Sequence, residues 1–168
     1  MDHLVDLGHG DIAFLREPHT NIFTSEPEGG LRDALSCHGF ALPDTRIWGS
    51  DFTLEEGFAA AEWVLGLPER PTAVICAFDQ IAIGLLSGLA KAGLNVPADM
   101  SIVGFDDIVS AAYVSPSVTT IRQDRIGLGR AASKVILKQI NKATAQERCI
   151  CTLPVSLIPQ QSSATPRS

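Results

Sequence analysis

Three carboxylates, Asp79, Asp106 and Asp107, stand close behind apolar runs at 72–77 and 101–105. An ionised carboxylate only accepts hydrogen bonds, so such groups select ligands that offer N–H or O–H donors. Catalytic chemistry has thinner support. The chain contains no GxSxG elbow, HExxH pair or phosphate-cradling GxxxxGK loop. His9 and His19 have no neighbouring nucleophile, and the glycines at 127 and 129 fall inside a predicted helix rather than at a strand-to-helix turn. A non-enzymatic protein without a cofactor is expected. Four cysteines, at 37, 76, 149 and 151, lack CxxC spacing; they read as reduced thiols with Cys76 in the core, and no metal site is expected.

The elements that carry the carboxylates form a βαβ unit. Both apolar runs suit strands covered on two faces, and the amphipathic segment 79–92 between them is stopped by Gly93 and Pro97. Ligands of open parallel sheets bind beyond the carboxyl ends of the strands, where Asp79 and the Asp106–Asp107 pair would project. The remaining pattern predicts helices at 2–7, 29–38 and 54–66, strands at 11–15 and 45–48, and a long loop at 16–27. After the βαβ unit come an extended crossover at 118–123, a helix at 124–140, a linker at 141–147, an extended stretch at 148–158 and a polar, disordered tail at 159–168. The fold class is α/β, a three-layer α/β/α arrangement around a mainly parallel sheet. Ile81, Ile83, Leu85, Leu86 and Leu89 wrap more than one stripe of the helix 79–92, which therefore needs a second packing partner.

Charge is unevenly spread. Residues 1–121 hold 5 Lys/Arg against 17 Asp/Glu, whereas residues 122–168 hold 8 against 2. An acidic body repels phosphate, which argues against direct DNA contact by this segment. Arg130, Lys134 and Lys138 recur on one face of the helix 124–140 and read as a solvated stripe. The N-terminus has no basic n-region followed by an apolar h-region, so a cytoplasmic protein without membrane contact is expected.

The stretch from Pro71 through VGFDD to SPSVTTIRQD (115–124) resembles the effector-binding region of lactose-repressor-type (LacI/GalR) transcription regulators. The likeness extends back through DHLVDLGHGDIAFL (2–15) and SDFT (50–53) and forward to LPVSLI (153–158), covering nearly the whole chain. It implies a truncated periplasmic-binding-protein-like core. Residues 1–121 would form the second lobe, 122–158 the crossover into the first lobe and the return, and 159–168 a tail. The small-molecule effector, a sugar or another metabolite, would meet Asp106, with Phe52, Asn21, Phe78 and Asp79 around it. Asp106 could instead cap a loop, Phe52 could be a core ring and Asn21 a turn residue. Two departures point to an effector less polar than a sugar: Pro27 stands where many relatives place an arginine, and Phe78 replaces a polar residue. The resemblance further implies a homodimer through Ile83, Leu86, Ala112 and Tyr113, and operator DNA bound by a helix-turn-helix outside this chain. A stand-alone sugar-binding protein is the alternative. Without the first lobe, the helix 124–140 is expected to pack on a neighbouring copy or to be poorly ordered.

Overall fold

The structure is a computed structural model that describes residues 1–16, 25–49, 51, 53–141 and 151–167. Helix α1 (Asp2–Asp6) leads into strand β1 (Ile12–Arg16), followed by α2 (Ser25–Cys37), β2 (Ile47–Gly49), α3 (Leu54–Gly66), β3 (Ala73–Cys76), α4 (Asp79–Lys91) and β4 (Ser101–Val103). The four strands make one parallel sheet in the order β2-β1-β3-β4, with Phe14 opposite Ile47, Ala13 opposite Val74 and Val74 opposite Ile102. The chain then forms β5 (Thr120–Gln123), α5 (Arg125–Asn141) and β6 (Val155–Ile158). Strands β5 and β6 pair antiparallel as a separate ribbon.

Alternation along each strand sorts side chains onto two faces. Ala13, Leu15, Val74, Cys76 and Ile102 face α3 and α4 and form one core with Ala60, Val64, Leu85 and Leu89. Ile12, Phe14, Ala73 and Val103 face the other way, against Leu4 of α1 and Leu35 of α2. Helices on both faces of a parallel sheet confirm the three-layer α/β expectation.

Local signals account for the helix ends. The Thr53 hydroxyl accepts from Glu56 N–H at 3.1 Å and caps α3. Gly93 adopts a left-handed φ of +83 after α4, Gly93 N–H bonds Ala90 O, and Leu94 N–H bonds Leu89 O. That pattern satisfies orphan carbonyls of the last turn and needs a residue without a Cβ penalty.

The second partner required by α4 is α3, seated on a glycine face. A Cβ at Gly84 would strike Leu54 O, and one at Gly88 would come within 2.6 Å of Phe58 O and of the Ala61 Cβ. Leu86, assigned from sequence to a dimer contact, is only 6% exposed and belongs to this intrachain core.

Two further expectations are corrected. Helix α2 begins at Ser25 rather than 29 and carries Gly29 and Gly30 within it. The tail expected to be disordered instead runs beside β4: Ile102 N–H donates to Ser162 O at 2.7 Å, the Ser162 hydroxyl donates to Ile102 O at 2.6 Å, and Ser162 also receives Thr119 N–H. Thr119 in turn binds Gly104 N–H, so the segment fills the edge of β4 that would otherwise leave backbone groups unpaired. Helix α5 is a formed helix whose apolar residues lie open, with Ile126 71% and Ile140 73% exposed, which leaves packing on a neighbouring copy as the expectation that still applies. No described helix is long and apolar enough to cross a membrane.

Candidate functional site

Helix α2, which follows β1, lies on one face of the sheet, whereas α4, which follows β3, lies on the other. The chain therefore diverges between two neighbouring strands, and it is beyond the carboxyl ends at such a point that open α/β sheets bind ligands. Arg16 ends β1 there, Phe78 and Asp79 follow β3, and the Asp106–Asp107 pair follows β4.

The two aspartates of the pair have unusual backbones. Asp106 has φ +111 and Asp107 φ +53, a region that side-chain-bearing residues seldom adopt. Strand β5 holds them in place. Asp106 N–H donates to Ile121 O at 2.9 Å, and Asp107 N–H reaches the Thr120 hydroxyl at 3.3 Å. Gln123 Nε2 donates to Asp106 Oδ1 at 2.8 Å, and Arg122 pairs with the Asp107 carboxylate. Asp106 is half-buried, and that burial raises its pKa above the ordinary carboxylate value, partly offset by Gln123 and by the charge of Arg125. The Asp106 Oδ1 is committed to Gln123.

Asp79 differs from the expectation that it would project into the mouth. Its exposure is 0%. The Thr120 hydroxyl donates to Oδ1 at 2.6 Å, and Ile108 N–H donates to Oδ2 at 2.9 Å. Gly104 passes so close that a Cβ there would strike Oδ1. Burial pushes the Asp79 pKa up, the two hydrogen bonds draw it down, and the charges of Asp106 and Asp107 raise it again. Asp79 is thus a pin between α4, the aspartate loop and β5. Phe78 is half-buried and packs against the α3–α4 core. Phe52 and Asn21 lie outside the described residues. Pro27 falls in the first turn of α2, exposed.

Sequence reasoning missed Thr120, Arg122 and Gln123 as partners of the aspartates. Alternation along an extended segment is the only local signal for them, and it does not reveal which loop the strand will meet. It also missed Arg16, a buried guanidinium whose Nε lies 3.6 Å from Glu28 Oε2.

Of the residues assigned to a dimer contact, Ala112 and Tyr113 are exposed on and just after a single-turn helix (Val109–Ala112) packed on α4, Ile83 is half-buried and Leu86 is enclosed. Val109, 77% exposed, and Tyr113, 85% exposed, are large apolar side chains open on that turn. The described residues contain no group of three or more His, Cys, Asp or Glu side chains able to hold a metal. Among them, Cys37 and Cys151 are free and exposed; Cys76 is enclosed, and burial raises its thiol pKa far above the usual range.

Comparison with known proteins agrees with this geometry. A family model described as a periplasmic binding protein-like domain matches residues 1–163. The HTH-type transcriptional repressor PurR of Actinobacillus pleuropneumoniae is 36% identical over 138 residues, which is 82% of this chain and 41% of the repressor. A LacI family transcriptional regulator from Mycobacterium smegmatis superposes with a TM-score of 0.88 at 27% identity, over 99% of this chain and 62% of that one. A sugar-binding LacI-family regulator from Escherichia coli, complexed with phosphate, gives 0.86 at 27%, over 98% and 58%. The chain spans less than half the length of the curated relatives it matches. On the family match and the shared architecture, the chain belongs to the periplasmic binding protein-like domain family, in the form found in LacI-type transcriptional regulators.

Proposed function

We propose that this chain is the effector-sensing and dimerising lobe of a bacterial transcriptional repressor of the LacI type. The observation that carries the reading is Asp106: a half-buried carboxylate on a left-handed backbone, at the diverging strand ends, tied through Gln123 to the ribbon that leaves the lobe. Strained, over-determined backbone of this kind clusters at ligand clamps. A small molecule that donates a hydrogen bond to Asp106 acts on the same carboxylate that holds β5, so binding is felt by the β5–β6 ribbon. Allosteric control needs such differential contacts between two lobe arrangements.

The effector is a small metabolite with at least one N–H or O–H donor and a partly apolar body. Pro27 offers no side-chain donor, and Phe78 brings no polar group where one would bind a sugar hydroxyl. Phe52 and Asn21 are proposed to complete the pocket. Operator DNA is contacted by a helix-turn-helix outside this chain, because residues 1–121 are strongly acidic. The homodimer forms through the exposed turn at Val109–Tyr113 together with Ile83.

The test is calorimetric screening of nucleobases, nucleosides and sugars against the full-length regulator and its Asp106→Asn variant. A hydrogen bond to a charged group contributes about 1.5–3 kcal/mol, so the variant is expected to bind the selected effector roughly ten- to a hundredfold more weakly. Equal affinity of the two proteins would remove Asp106 from the site.

A further inference from the structure

At the amino ends of β3 and β4, the pole opposite the aspartate crevice, lies a hollow of about 210 Å³. Arg70 and Thr72 line it on the approach to β3, Pro97 and Asp99 on the approach to β4, and Pro166 and Arg167 from the C-terminal segment. Its volume lies below the roughly 300–1,000 Å³ of pockets for drug-sized ligands, which leaves room for a small molecule or a single side-chain head.

The charges around it are not balanced. Arg167 Nη1 donates to Asp99 Oδ1 at 2.6 Å, and Asp99 Oδ2 accepts Asn95 N–H at 2.8 Å, so this carboxylate is committed on both oxygens. The Asn95 amide, with Arg167 behind it, holds the Asp99 pKa below the ordinary value and keeps it ionised at neutral pH. Among the described lining residues there are thus two guanidiniums and one carboxylate, which is bonded to Arg167. Thr72 brings no spare donor, because its N–H and hydroxyl both bind Asp11 O.

Arg70 is singular among the cations of the acidic body. Within residues 1–121, Arg16 lies against Glu28, Arg32 against Glu28 and Asp44, Arg46 against Asp11, and Lys91 over the Phe58 ring. Arg70 shows no such partner among the described residues, although this part of the chain has 17 acidic residues to 5 basic ones. An acidic lobe that pairs its other cations has left one arginine beside a hollow that a second arginine also lines.

We infer that the hollow framed by Arg70 and Arg167 is a second binding site, for a small carboxylate or phosphate anion, separate from the effector crevice. Arginine suits the task, since its planar fork offers two parallel N–H donors to either anion. Asp99 acts as a positioning residue: it orients Arg167 and, by its own charge, limits the site to ligands small enough to avoid its oxygens. The prolines add a rigid apolar rim that needs no ordering when the anion enters. Being at the far pole of the sheet, the site does not depend on what Asp106 binds.

The test uses the full chain and titrates inorganic phosphate, then acetate, at ionic strength held constant with sodium chloride, following the arginine Nε–Hε signals by NMR. The expected result is a saturable shift of the Arg70 and Arg167 signals with one or both anions, and an affinity lowered about tenfold or more in Arg70→Gln and in Arg167→Gln. Arg130→Gln, on the exposed face of α5, should leave the titration unchanged. Circular dichroism confirms that each variant is folded. A shift that never saturates, or one that persists undiminished in Arg70→Gln, overturns the assignment. Phosphate saturation with no response to acetate, or the reverse, supports the site and identifies which anion class it takes.

Discussion

Asp79 and Asp106 occupy similar places in the sequence, each just beyond an apolar strand, yet they end in different environments. Asp79 is sealed beneath the loop that carries Asp106, with both oxygens bonded, while Asp106 is half-buried with Oδ1 bonded to Gln123. The consequence for pH follows from the raised Asp79 value, whose leading cause is burial. A carboxyl whose folded pKa is raised contributes stability that is complete below its unfolded value, about 3.9, and is lost as pH rises through the folded value. The amide introduced by Asp79→Asn does not titrate in this range. Urea unfolding of Asp79→Asn and the wild type at a series of pH values should therefore show the variant gaining on the wild type from acid toward neutral pH; a constant difference would mean that burial does not perturb this group. The distinction between the two aspartates was not legible locally, because the groups that separate them, Ile108 and Thr120, lie 29 and 41 residues from Asp79.

Among the elements, α3 and α4 show what composition conceals. Apolar periodicity placed both helices well: α3 matches its expected span, and α4 ends one residue short of it. Their mutual packing depends on what is missing, namely side chains at Gly57, Gly84 and Gly88, where a Cβ would strike the facing backbone. Backbone cannot yield as a flexible side chain can. Gly84→Ala should cost about 1–3 kcal/mol, the usual penalty of overfilling a packed interior, read as a lowered urea midpoint with an unchanged slope. A variant as stable as the parent would show that the helices can part freely. Helix α5 presents the converse case, since its period was legible but its cover was not. Ile126, Leu128, Ile136 and Ile140 lie open, an apolar stripe of the kind that marks an interaction surface.

For the whole molecule, the proposed dimer places its weight on Val109 and Tyr113 rather than on α4, whose Leu86 is consumed by the internal core. Tyr113→Asp is the cleaner probe than a change at Ile83, because Tyr113 is almost fully exposed and its replacement leaves the lobe's own packing intact. Sedimentation of the wild type is expected to give a dimer and of Tyr113→Asp a monomer with an unaltered melting temperature for the lobe. A dimer that survives the substitution would move the contact elsewhere. By itself the sequence determined the α/β class, the parallel pairing of β3 and β4, the two-sided burial of the strands and the helix stops. Each of these rests on periodicity or on conformational preference within a few residues, which a linear pattern records directly. Only the tertiary structure decided that Asp79 is a pin, that Leu86 is internal, that Gln123 holds Asp106, and that the polar tail is a fixed strap bonded to a strand 60 residues away. Those outcomes depend on which distant backbone donors and acceptors meet, and any polar residue can satisfy such a partner once the fold brings it there.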